Sequence, residues 1–174
     1  MKTPTIKTER LTLRPFLLSD AQDVFDTWTT DSEVSKFMRW NTHTSLKETT
    51  EFITLAIENI PSPHSYDWIF ILNETGKPIG SGGLYWKEKY KMFELGYCLA
   101  KKAWGQGFAV EASVGILDFA KQMLNEDQFF AEYVKENSAS GRVLEKLGFV
   151  YHSDGEYSTF DGKTTFQSCN YFLR

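Results

Sequence analysis

Hydrophobic positions change their period several times along this chain, and each change marks an element. Leu11 and Leu13 alternate with polar neighbours in "RLTLRPF", which predicts a first strand. Ser19 and Asp20 then open a helix whose Ala21, Val24, Phe25 and Trp28 share one face. A short helical piece follows around Val34, Phe37 and Met38, and "RWNTHTS" reads as a loop. Ser45 with Glu48 fits a capping box. Leu46, Thr49, Ile53, Ala56 and Ile60 then continue a helical stripe until Pro61 and Pro63 stop it. Strand period returns in "DWIFIL", "PIGSGGLYW" and "MFELGYCL", joined by the turn "NETGK" and the polar loop "KEKYK". That spacing predicts an antiparallel meander.

The meander runs into "KKAWGQGFAVEASVGILDFAKQ", where Gly105 and Gly107 precede a helical spacing of Val110, Val114, Leu117, Lys121 and Leu124. "FFAEYV" is a further strand. Asn137 is a good N-cap for a helix with Val143, Leu144 and Leu147 on its buried face, and Gly148 suits its C-cap. Two last strands flank "FDGKT". With no repeat, low-complexity tract or linker in the sequence, the expected fold class is α+β, one domain over residues 1–174 with a mostly antiparallel sheet.

Composition narrows the function classes. The net charge of −4 supplies no global basic field, so nucleic acid is not an expected partner. Cys98 and Cys169 form no CxxC pair, and His43, His64 and His152 show no ligand spacing, so reduced thiols and no metal are expected. "MKTPTIKTERLTLRPF" has no signal-peptide core, and "WIFIL" is far too short to span a bilayer. A cytoplasmic, soluble protein without a membrane partner is the expectation. A homodimer is possible because two-fold dimers are the commonest oligomers.

The glycine pair carries the chemistry. Glycine loses more backbone entropy on folding than any other residue, so two beside a helix start imply a special turn or a close approach. The amides of Gly105, Gln106, Gly107, Phe108 and Ala109 would face an anion at the positive end of the helix, with Lys101 and Lys102 beside them. The Lys-Ser/Thr of a P-loop is missing. A dinucleotide fingerprint would need a small residue where Val110 stands and an early parallel unit, which opposes an NAD-dependent oxidoreductase. A second helix start at Asn137, with Ser138 and Ser140 in its first turn, gives two helix N-termini for one cleft and an elongated phosphate-bearing ligand.

"YCLAKKAWGQGFAVEAS" and "NSASGRVLEKLGFV" together resemble the GNAT superfamily of N-acetyltransferases, and most closely its ribosomal-protein N-terminal (Rim-like) branch. "IKTERLTLRPFLLSDAQDVF" and "GSGGLYW" are similar to the same branch, and the resemblance runs from about Thr8 to the C-terminus. It implies a three-layer fold with a twisted mixed sheet splayed between its fourth and fifth strands, and acetyl-CoA in the opening. The family's pyrophosphate loop, Gln/Arg-x-x-Gly-x-Gly/Ala, falls on Lys102, Gly105 and Gly107, and Trp104 lies within it. Lys102 is a departure that keeps the charge but loses the guanidinium fork. The resemblance places pantetheine contacts on the backbone of Tyr97, Cys98 and Leu99 and a coenzyme contact on Asn137.

Acetyl transfer to an amine needs the neutral amine, a donor for the oxyanion and a way for the thiolate to leave. By the resemblance, Glu94 is the favoured base and Glu132, five residues before Asn137, the alternative; a solvated strand carboxylate is the ordinary reading of each. The family's tyrosine proton donor is replaced here by Leu144, and Ser140 matches the serine of the Rim-like branch. Phe37, Trp40 and Tyr85 are candidates for the acceptor pocket, and Glu33 with Glu94 would draw a cationic amine. The acceptor is a small-molecule or peptide amine: a protein N-terminus, a polyamine, an amino sugar or an amino acid. The replaced tyrosine keeps a second reading open, a coenzyme-A-binding regulatory or vestigial module without turnover.

Overall fold

The computed structural model describes residues 2–174. Its strands are β1 (Ile6–Lys7), β2 (Leu11–Arg14), β3 (Ser65–Leu72), β4 (Lys77–Lys87), β5 (Met92–Leu99), β6 (Phe129–Val134), β7 (Val150–Ser158) and β8 (Thr165–Leu173). They form one sheet in the order β1-β2-β3-β4-β5-β6-β8-β7. Neighbours are antiparallel except β5 and β6, which run parallel. The helices are α1 (Ala21–Val24), α2 (Ser32–Ser35), α3 (Leu46–Glu58), α4 (Phe108–Phe119) and α5 (Ser138–Lys146). Both α1 and α4 run on through a wider turn, to Thr29 and Leu124.

Alternation along the strands decides which layer each residue joins. Ile69 and Cys98 point to the face covered by α1 to α3, where they meet Val24, Trp28, Val34 and Ile53. Trp68, Phe70, Phe93 and Phe129 point to the other face and pack with Ile116, Phe119 and Leu144 of α4 and α5. The result is the α+β fold expected from the sequence pattern, in the three layers that the family resemblance implies, with a helical layer on each face.

Several local readings change. The helix after β2 starts as a tight turn at Leu18, because the buried Asp20 turns back to accept from the Leu17 N–H and from Arg14. The expected piece through Phe37 and Met38 stops at Ser35. Ser45 caps α3, but Glu48 accepts from the Thr44 N–H rather than from that of Ser45, so the box closes one residue early. The stripe read for α4 is displaced: Val114 is exposed, and Phe108, Ala112, Ile116 and Phe119 face the sheet. That helix is apolar around most of its circumference, so spacing alone does not select the buried side.

The feature that positions the site is the meeting of β5 and β6. Only Phe93 with Phe129 and Glu94 with Phe130 pair before the strands part. Beyond Glu94, β5 keeps its partner β4 and β6 keeps β8, and two inner edges face each other across an opening. The parting lies one strand later than the family's count because Ile6–Lys7 pairs as a short strand of its own.

Candidate active site

The opening widens into a cavity of about 490 Å³. Its walls come from β3, β4, β5 and β6, from the 37–40 segment, from α3 and the residue that follows it, from the first turns of α5 and from Tyr157 and Phe160. Phe37, Trp40 and Tyr85, expected from the sequence, all line it, as do Glu94, Glu132, Tyr97, Cys98, Asn137 and Ser140. Residues distant in sequence thus meet because the sheet opens where they converge.

Glu94 sits at the last β5–β6 pair, at the apex of the opening, and lies opposite Tyr85 on β4. One of its oxygens pairs with Lys87 Nζ at 2.6 Å. Glu132 is more heavily tied: Arg39 donates to one oxygen and Ser168 to the other, both at 2.7 Å. Burial pushes the Glu132 carboxyl above its ordinary range, opposed by Ser168 and Arg39. Arg39 also stacks on Tyr157, 4.2 Å from the ring centre. Glu33 does not join this group; it pairs with Lys101 at the surface, outside the cavity lining.

A third carboxylate, Asp67 on β3, lines the same cavity and was not found from the sequence. Tyr85 donates to it at 2.7 Å and Ser65 at 2.9 Å. Burial raises the Asp67 carboxyl, and the two hydrogen bonds only partly offset this. Tyr85 is held well above the usual phenol range by burial and then by Asp67, so it stays a donor. The signal for Asp67 lay in strand register: Asp67 pairs with Gly83, and Gly83 with Gly96, which puts it on the face of Glu94. Alternation within one strand does not reveal such a row.

Across the opening, the Tyr97 hydroxyl lies 3.0 Å from Ser140 Oγ, so β5 touches α5 where the strands have separated. Burial pushes the Tyr97 phenol up to about 12. Asn137 caps α5 by accepting from the Ser140 N–H at 3.3 Å. Leu144, where the family tyrosine would stand, is buried in the core. Arg142 and Lys146 are exposed on α5.

The glycine turn is outside the cavity lining, at the end of β5. Gly105 and Gly107 have φ of +72° and +83°, a left-handed conformation that favours glycine. A Cβ at Gly105 would meet nothing within 4 Å, so the backbone angle and not crowding requires the residue. Among the described residues, the N–H groups of Gly105, Gln106, Gly107, Phe108 and Ala109 take no protein acceptor. Trp104 donates its indole N–H to Leu99 O at 2.8 Å and Gln106 its amide to Lys102 O, which fold the turn onto the strand. Lys102 is exposed, and the Phe108 ring is buried, so Phe108 offers only its backbone. Arg10, also missed from the sequence, buttresses the turn: it donates to Gln106 O at 3.0 Å, pairs with Glu111 at 2.7 Å and stacks on Phe108.

A parted sheet, a left-handed glycine turn with open amides and a carboxylate at the apex invite comparison with known proteins. The family profile described as "Acetyltransferase (GNAT) domain" matches residues 10–150. The chain belongs to the GNAT acetyltransferases. The uncharacterized N-acetyltransferase p20 of Bacillus licheniformis is 32% identical to this acetyltransferase over 146 residues, 83% of this chain and 82% of p20. Among solved structures, the ribosomal-protein-S5-alanine acetyltransferase of Vibrio fischeri superposes with a TM-score of 0.80 at 16% identity, covering 97% of this chain and 94% of that one. The Microcin C7 self-immunity acetyltransferase MccE, solved in complex with acetyl-CoA and AMP, superposes with a TM-score of 0.81 at 14% identity, covering 94% and 92%. At those identities the two structures speak to the fold of the acetyltransferase. No described helix is long and apolar enough to cross a membrane.

Proposed function

We propose that this acetyltransferase moves an acetyl group from acetyl-CoA to a primary amine by direct attack in a ternary complex. The observation that carries the reading is the run of unengaged N–H groups from Gly105 to Ala109 beside the parting of β5 and β6. Such a turn suits a pyrophosphate, whose charge main-chain donors and the helix dipole together satisfy. The open edge of β5 at Tyr97 and Cys98 suits an extended arm with amides of its own, while the Leu99 carbonyl is already taken by Trp104. The likeness to MccE, whose structure holds acetyl-CoA, supports the same donor. The Rim-like branch is supported by the Vibrio fischeri neighbour and by Ser140, and the reading carries with it a cytoplasmic location.

Glu94 is the base of choice. Its second oxygen accepts no hydrogen bond from the described residues, whereas both oxygens of Glu132 are occupied. It takes the amine's proton directly or through one water, so that the lone pair can attack. A main-chain N–H on the open edge of β5 donates to the carbonyl oxygen as charge develops on it. The carbon–sulfur bond then breaks, and the thiolate leaves beside Ser140. Tyr97, near pKa 12, lies far above a thiol at about 8.5, so the Tyr97–Ser140 pair stabilises the departing sulfur by hydrogen bonding and not by giving up a proton.

Calorimetric titration with acetyl-CoA, with NADH as control, tests the donor, and thiol release over an amine panel tests turnover. Micromolar binding of acetyl-CoA alone is expected; its failure removes the reading. Glu94→Gln should flatten the rise of rate with pH, and an unchanged profile would remove Glu94 from the mechanism. Binding of acetyl-CoA with no thiol release on any amine would favour the regulatory module, which Leu144 keeps as the second reading.

A further inference from the structure

The charges around the cavity do not balance, and the imbalance is localised. Glu94 has Lys87 and Glu132 has Arg39, each within 2.7 Å. Among the described residues, Asp67 has only the neutral hydroxyls of Tyr85 and Ser65. A half-buried carboxylate without a counter-ion still loses part of its hydration, and a cation that supplies the missing charge offsets that loss. The burial-driven rise of its carboxyl expresses that cost.

Position matters as much as charge. Asp67 lies two strands from Glu94 and two residues along, by the pairs Asp67–Gly83, Gly83–Gly96 and Tyr85–Glu94. At ordinary strand spacings this separates their Cα atoms by roughly 12 Å. A counter-ion at Asp67 is therefore distant from the nitrogen that Glu94 deprotonates. This suits the chemistry, because the ammonium held on Asp67 keeps its proton while Glu94 is left to take the proton of the reacting nitrogen. Tyr85 spans the interval. Its Cα is opposite Glu94, its hydroxyl reaches Asp67, and its ring lies over Gly96, where a Cβ would stand 3.3 Å from Cε2. A Cβ at Gly83 would lie 2.9 Å from the Tyr85 hydroxyl. The two glycines clear a floor for the ring, which becomes an aromatic track between the carboxylates.

We propose that the acceptor is a linear aliphatic diamine or polyamine, held with its distal ammonium on Asp67, its methylenes along the Tyr85 ring and its reacting amine at Glu94. This rests on the acetyl-transfer reading and names the acceptor class within it. An amino sugar would leave its hydroxyls against Phe37, Trp40 and the Tyr85 ring. A free amino acid would bring a second negative charge to a cavity whose Arg39 is already engaged. An acceptor with one charge leaves Asp67 as it is. The Tyr85 face also attracts an alkylammonium passing over it. Glu94 takes a proton from the near nitrogen, that nitrogen forms the bond to the acetyl carbon, the thiolate departs, and the distal ammonium keeps its proton throughout.

The test compares 1,5-diaminopentane and spermidine with 1-aminopentane, 2-phenylethylamine and glucosamine as acceptors at fixed acetyl-CoA. The expected kcat/KM favours the two polyamines by roughly tenfold or more, as loss of a desolvated charge partner implies. Asp67→Asn should erase the preference by raising KM for the polyamines far more than for 1-aminopentane, with acetyl-CoA affinity as the check that the fold is intact. Equal or better use of a monoamine or the sugar would overturn the proposal, as would a preference that survives Asp67→Asn. Calorimetry of 1,5-diaminopentane and 1-aminopentane without coenzyme reads the cavity alone. If the diamine binds there and Asp67→Asn abolishes it, the diamine site at Asp67 stands even where acetyl-CoA fails to bind, and what falls is the transfer reading and with it the diamine's role as acceptor. If neither amine binds, the assignment falls even where other amines are acetylated.

Discussion

Asp67 holds a charge that the fold does not neutralise, and this should be visible in stability. Its folded pKa is raised, chiefly by burial. A raised pKa means that the protonated form is the better tolerated one. The associated stability is present below the unfolded pKa, near 3.9, and is lost as pH rises through the folded value. Asparagine keeps an acceptor for Tyr85 and does not titrate. Asp67→Asn should therefore melt above the parent protein at pH 7, by a margin that shrinks toward pH 4. Differential scanning calorimetry across that range checks it, and a margin constant with pH would mean that the charge is not the cause. Residues at this scale divide by how they are found. The glycines stand out as a local motif, while Glu94, Glu132 and Ser140 entered as candidates through the family resemblance. Asp67, Arg39 and Arg10 gain their meaning from partners distant along the chain, through strand pairing or loop docking, and no local spacing announces them.

Among elements, the turn between β5 and α4 has the most demanding construction. Gly107 at φ +83° ends the turn, and Arg10 from the β1–β2 connection fixes it through Gln106 and Glu111. Alanine at Gly107 would meet Arg10 at an ordinary 3.5 Å, so its penalty is conformational. Holding alanine in the left-handed region costs about 1–2 kcal/mol. Gly107→Ala should lower Tm by several degrees and weaken acetyl-CoA binding as the amides turn away. Melting and titration on the same sample read both. Unchanged affinity in a destabilised protein would separate the turn's shape from coenzyme binding. Element boundaries followed the sequence where a proline or cap set them, as at Ser45 and Asn137. They departed where a buried side chain took over, as Asp20 did in pulling the first helix into a tighter opening turn.

In the whole molecule, the sheet behaves as two leaves, β1 to β5 and β6 to β8, joined in the sheet by two residue pairs and covered by α4 and α5 on one side. A ligand lying between the leaves would stabilise the pair by mass action, about 2.7 kcal/mol at a hundred times its Kd. Hydrogen exchange should slow at Leu95 to Leu99 when acetyl-CoA is added, and much less along β7, at the far edge of the sheet. Uniform slowing over the whole sheet would point to general tightening and not to occupancy of the opening. The α+β class and the antiparallel meander of β3 to β5 were readable because alternation and turn residues constrain them, and the three layers came through the family resemblance. The point at which β5 leaves β6 was available only through the family resemblance, since a pair of strands that ceases to pair leaves no mark in hydrophobic period.

The open amides from Gly105 to Ala109 belong to the main chain, and most substitutions leave a main-chain N–H in place. The acceptor side of the cleft depends instead on the side chains of Asp67, Tyr85, Phe37 and Trp40. The two halves of the site therefore differ in what an exchange of residues can alter. Replacements around the acceptor redirect the enzyme toward another amine, while the donor's seat persists wherever the turn keeps its shape. A scaffold divided in this way can change its customers through a handful of codons and retain its acetyl supply.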